Sequence, residues 1–157
     1  MVAQTLKKDG EAVINHLRTE LGVKKIGVHG GSMGGFVACH LARYCNLDYA
    51  CVDRTFSSLV NVARYSFGRA LSHLFSIITR WNDDTSENFI QAPCFKVVTF
   101  DPKDEVIQLQ ASLRYSITKR VIERILGIES GGKTSLNFLR VYTQPYQIFY
   151  TTVFIFP

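Results

Sequence analysis

Apolar residues recur along this chain at two periods, and the alternation between them sets the expected order of elements. After Asp9, a residue suited to an N-cap, Val13, Ile14, Leu17 and Leu21 share one helical face while Glu11, Asn15, Arg18 and Thr19 lie opposite, and Gly22 supplies a stop. Residues 24–29 read as a short strand whose apolar members, Ile26 and Val28, run directly into a cluster of glycines. Helical spacing returns over residues 33–44 through Phe36, Val37 and Leu41. A second strand is expected over residues 49–52, closing on Asp53 and Arg54. Serine follows in position to cap a helical stretch over residues 59–78, with a break at Gly68.

The polar run at residues 82–88 reads as a loop, and Pro93 precedes a third strand over residues 95–100. That strand is apolar on both faces except at Lys96 and Thr99, the pattern of a parallel strand between helix layers. Asp101, Pro102, Lys103 and Asp104 form a turn. Glu105 then opens a long helical period carried by Val106, Leu109, Leu113, Ile117, Val121 and Ile125, which Gly127 ends. Beyond Ser130 the alternation dissolves: residues 136–142 fit neither period, and residues 146–156 read as a strand with no evident partner.

Strands alternating with helices imply a parallel sheet, at whose carboxyl edge ligands bind. Ser32, Asp53, Asp101 and Asp104 each follow a strand and should converge there. The chain has 157 residues, enough for one domain with a core, and its 46% apolar and 20% charged content is that of a globular protein rather than a disordered one. Its net charge of +5 comes from scattered residues such as Lys7, Lys24, Lys119, Arg120 and Arg124, expected on water-facing helix surfaces. They form no basic stripe interleaved with aromatics, so nucleic acid is not an expected partner. Cys39, Cys45, Cys51 and Cys94 show no metal-ligand spacing and read as reduced, mostly buried thiols. No signal-peptide pattern opens the chain and no apolar run approaches the roughly 20 residues of a membrane span, so a cytoplasmic location is expected.

The chemistry centres on Gly30-Gly31-Ser32-Met33-Gly34, a GxSxG sequence set between a strand and a helix. Flanking glycines let backbone approach where a Cβ would clash, which is what a strained strand-to-helix turn presenting a serine hydroxyl requires. A dinucleotide site would want GxGxxG, although Asp53 stands at about the spacing of its acidic residue, roughly 20 positions on. Residues 127–134 match the letters of a phosphate loop, yet the charged helical period before them replaces the buried strand such a loop needs.

With the segments Asp53-Arg54-Thr55-Phe56-Ser57-Ser58-Leu59 and Asp101-Pro102-Lys103-Asp104-Glu105-Val106-Ile107, the glycine–serine turn makes the sequence resemble the serine hydrolases of the α/β-hydrolase superfamily, of the abhydrolase-domain or serine-aminopeptidase-like kind. The resemblance covers roughly residues 9–126. It implies an α/β class, a partial α/β-hydrolase fold of three layers with a short parallel sheet and flanking helices. Residues 1–130 would form that partial domain, and residues 131–157 a divergent carboxyl-terminal tail.

By the same resemblance Ser32 is the nucleophile, Asp104 the acid that orients a histidine, and the Met33 backbone N–H an oxyanion-hole donor. Asp101 and Asp53 are alternatives for the acid. The implied reaction transfers the acyl group of a small-molecule or lipid ester, thioester or amide to water, without cofactor or metal. Two departures stand out. The histidines are His16, His29, His40 and His73, so none follows Asp104 as the family order Ser, Asp, His requires. The family also places several strands before the elbow strand, for which the first 24 residues leave no room. His29 reads as a structural group on its strand, and His40 and His73 as exposed helical residues. The alternative is an inactive interaction module or a truncated gene product, with the elbow strand's open edge inviting a partner unless residues 146–156 cover it.

Overall fold

The computed structural model describes residues 2–68, 83–125, 139–143 and 151–156. Helix α1 (Val2–Thr19) leads to strand β1 (Lys25–Gly31), helix α2 (Met33–Tyr44), strand β2 (Tyr49–Asp53) and helix α3 (Leu59–Phe67). Helix α4 (Thr85–Gln91), strand β3 (Phe95–Phe100), a single 3-10 turn (Leu109–Ala111) and helix α5 (Leu113–Ile125) follow, then strands β4 (Leu139–Thr143) and β5 (Thr151–Phe156). The sheet order is β4-β3-β2-β1-β5. The first four strands are mutually parallel, and β5 lies antiparallel along β1, with Thr151 beside Gly30 and Phe156 beside Lys25. This is an α/β fold, a parallel sheet with flanking helices, as the sequence pattern implies.

Helix α2 packs on β1 and β2, α1 and α4 pack on α2, and α5 packs on β3 and α4. Alternate strand residues Ile26, Val28, Ala50, Val52 and Val98 point into this layer with Ile14, Phe89, Leu113 and Ile117, all 1% exposed or less. Their neighbours His29, Cys51, Asp53 and Thr99 alternate to half-buried positions. Two of the expected strand ends shift by a residue or two, while α2 and β3 fall where the spacing puts them.

Several expectations are corrected. Asp9 does not cap a helix: α1 begins at Val2, and Asp9 lies in its interior. The helix approaches α2 so closely at Gly10 that a Cβ there would stand 3.1 Å from Val37 and Leu41, and this crossing buries Ile14 while leaving Val13 and Leu21 exposed. Lys7 does not face water. It is buried, with Nζ 2.6 Å from Asp83 and 5.8 Å from the centre of the Phe36 ring.

The polar run at residues 82–88 is not all loop, because Asp84 caps α4 by accepting the Glu87 N–H. The polar side of α4 is held by α5, where Arg120 contacts Asp84 and Glu87 at 2.6 and 3.1 Å and Arg124 contacts Glu87 at 3.0 Å, so these arginines are not simply a solvated face. Lys96 is buried and donates to the Ile90 and Ala92 carbonyls at the end of α4, while Phe95 is exposed and stacks on Tyr49. The helical period from Glu105 fails over residues 105–112, where the chain turns before α5 starts at Leu113. Asp104 accepts the N–H groups of Val106 and Ile107 in a tight turn, and Ser112 Oγ accepts the Tyr115 N–H as a capping bond, so the regular helix starts only at Leu113. No helix among the described residues is long and apolar enough to cross a membrane. The phosphate-loop letters at 127–134 and all of residues 69–82, His73 among them, lie outside the described residues.

Candidate active site

Strand β1 and helix α2 meet at Ser32, whose backbone holds φ 50° and ψ −118°. A non-glycine residue in such a region costs on the order of 1–3 kcal/mol and persists only where its surroundings over-determine it. Three hydrogen bonds do so. The Ser32 N–H donates to the Asp53 carbonyl at 2.9 Å, and the Ser32 carbonyl accepts from the Gly35 N–H at 3.1 Å and from the Thr55 hydroxyl at 3.0 Å. The glycines are sterically required. A Cβ at Gly30 would lie 2.4 Å from the Gly34 carbonyl oxygen, and one at Gly35 would lie 1.8 Å from Thr55 Oγ1.

Ser32 borders a cavity of about 300 Å³ also lined by Arg54, Asp101, Lys103, Asp104, Glu105, Val106 and Ile107. Three of the four residues expected to converge at the carboxyl edge, Ser32, Asp101 and Asp104, therefore share one cavity. Asp53 does not line it: its carboxylate accepts from Thr99 Oγ1 at 2.5 Å and from Arg54 Nε at 2.9 Å, which ties β2 to β3. Asp104 Oδ1 accepts the Val106 and Ile107 N–H groups at 2.9 and 2.8 Å, and Asp101 Oδ1 accepts the Lys103 N–H at 2.8 Å, so the acidic turn is locally braced. Met33 is the first residue of α2, where backbone N–H groups lack intrahelical acceptors and the helix dipole favours negative charge.

None of the described histidines borders the cavity. His40 is not solvent-exposed as expected: its side chain is 12% accessible, and Nε2 lies 2.5 Å from Glu11, which binds α2 to α1. His29 sits on β1, opposite Cys51 of β2 and Thr152 of β5. All four cysteines are free; Cys39 is fully buried and the other three are half-buried. Burial is the leading cause that raises every one of these thiols above its usual range, which leaves them protonated and weakly nucleophilic near neutral pH. Arg54 and Thr55 carried no role in the sequence. The signal for Thr55 was the extra glycine at 35, outside the GxSxG letters, whose missing side chain makes room for the threonine hydroxyl.

The backbone course places the chain among known folds. A crystal structure of an alpha-beta hydrolase from Vibrio vulnificus superposes with a TM-score of 0.56 at 18% identity over 89% of this chain. The chain has a partial α/β-hydrolase-like fold. It spans about half of that protein, 49% of its length. No protein-family model matches the sequence. No curated protein sequence matches it either.

Proposed function

We propose that the cavity beside Ser32 supports serine-hydrolase chemistry, acyl transfer from an ester, thioester or amide to water. The observation that carries this reading is the strained Ser32 backbone at a strand-to-helix turn, bordering the same cavity as Asp104. Strain of this kind, stabilised by three specific hydrogen bonds, serves to present a side chain rather than to build a core. In this reading Ser32 Oγ is the nucleophile, Asp104 the acid of the site, and the Met33 N–H a donor to the developing oxyanion. No metal or cofactor is needed for the step.

None of the described histidines borders the cavity, so Ser32 lacks the imidazole base of a triad and its alcohol attacks slowly. Loss of a triad member lowers turnover by on the order of 10⁴ in serine proteases. Added imidazole therefore provides the test. Its ring nitrogen takes the Ser32 hydroxyl proton as Oγ bonds to the acyl carbon of a p-nitrophenyl ester and nitrophenolate leaves; water then releases the acid and restores the hydroxyl. Hydrolysis by the wild-type protein should rise with imidazole by about tenfold or more above that of Ser32→Ala under the same conditions. Equal rates for the two proteins at every imidazole concentration would contradict the reading. The alternative of a strand-capturing module needs an open edge at β1, and β5 already occupies that edge.

A further inference from the structure

Of the three hydrogen bonds to the Ser32 backbone, the one from the Thr55 hydroxyl comes from farthest along the chain, and its geometry goes beyond packing. Thr55 is 2% exposed, and its Oγ1 lies 3.0 Å from the Ser32 carbonyl oxygen and 3.2 Å from the Asp53 carbonyl oxygen. A hydroxyl has one proton, so these two acceptors share it. Gly35 is the matching half of the arrangement, since any Cβ there would occupy the space that Oγ1 takes.

We propose that Thr55 is a positioning residue that locks the peptide joining Ser32 to Met33, and with it the direction of the Met33 N–H. This rests on the reading of Ser32 as nucleophile and deepens it. The physical step is peptide planarity: in a trans peptide the C=O and the following N–H point in opposite directions. No described peptide bond is cis. The Ser32 carbonyl is turned toward Thr55 and the Gly35 N–H, so the Met33 N–H is turned to the opposite side of the elbow, where the oxyanion of a Ser32 adduct needs a donor.

The backbone of the same residue is tied to the start of α5. The Thr55 carbonyl accepts the Leu113 N–H at 2.7 Å, at the start of α5 and just beyond the segment that carries Asp104. Thr55 thus holds the elbow with its side chain and the start of α5 with its main chain. Removing only the hydroxyl separates the two roles.

Thr55→Val is nearly isosteric and removes the donor, Thr55→Ser keeps it, and Thr55→Ala makes the same comparison should the valine variant not fold. The readout is the rate at which a fluorophosphonate modifies Ser32, because phosphonylation builds negative charge on an oxygen beside the Met33 N–H. Thr55→Val should react at least about tenfold more slowly than wild type, and Thr55→Ser within about threefold of it. A Thr55→Val protein that folds and reacts at the wild-type rate would overturn the proposal. If wild type shows no more modification than Ser32→Ala, the nucleophile reading fails, and the crystal structure of Thr55→Val decides the positioning claim independently. A rotated Ser32–Met33 peptide supports it, and one that keeps φ near 50° with the carbonyl in place overturns it.

Discussion

Ser32 adopts a backbone conformation that few L-residues tolerate, and the residues that permit it are glycines on either side and a threonine from the next strand's exit. The letters GxSxG were legible in the sequence because spacing alone defines them. The partner of the Ser32 carbonyl was not, because Thr55 lies 23 positions away and becomes a neighbour only when β1 and β2 pair. Gly35 is where this arrangement is most sensitive. Gly35→Ala would set a Cβ 1.8 Å from Thr55 Oγ1 and 2.8 Å from Val52 Cγ1, so chemical denaturation should show a loss of about 3 kcal/mol. Combining it with Thr55→Ala, which removes that oxygen, should recover part of the loss; strict additivity of the two changes would show that they do not share the space.

Among the elements, the buried and strongly periodic α2 and β3 were read correctly and the short polar α4 was not. Helix α2 and strand β3 are buried and strongly periodic, so the solvent boundary imposes their pattern on the sequence. Helix α4 has only seven residues and begins in a polar run; its stability comes from the Asp84 cap, which lies within that run, and from arginines on α5, which no local window contains. Residues 105–112 carry an apolar period of the right spacing, yet Asp104 closes a tight turn on Val106 and Ile107, and the Ser112 capping bond sets the helix start at Leu113.

The ion cluster between α4 and α5 gives a pH prediction. Burial pushes the Glu87 carboxyl upward, but hydrogen bonds and charge from Gln91, Arg124 and Arg120 outweigh it and hold the group below its usual value. Its stabilising contribution is therefore fully present above the unfolded-state pKa, about 4.3, and is lost as pH falls through the lower folded-state value. Glu87→Gln should cost about 1 kcal/mol at pH 7, where the carboxylate is charged, and less at pH 3. Urea denaturation at both pH values checks this, and a cost that does not shrink in acid would assign Glu87 a role in packing rather than charge.

For the molecule as a whole, fold class was legible because strands and helices alternate, but sheet order was not. Residues 146–156 read as a strand with no evident partner, or as a cover for the open edge of the elbow strand. The structure shows that Thr151–Phe156 of that stretch lies antiparallel along β1, at the sheet edge opposite β4. Such a long-range pairing leaves no local mark beyond β-branched and aromatic content. The likeness to a hydrolase at 18% identity rests on this arrangement of strands and helices, while the chemistry proposed for it rests on Ser32 and its cavity.

If Ser32 is a presented nucleophile, a fluorophosphonate captures it covalently. Wild type and Ser32→Ala would be incubated with a fluorophosphonate, with and without imidazole, and followed by intact-protein mass spectrometry and peptide mapping. The account predicts one phosphonyl adduct on wild type, located at Ser32, formed slowly and faster with imidazole, and none on Ser32→Ala. Equal labelling of both proteins, or an adduct placed elsewhere, would contradict it.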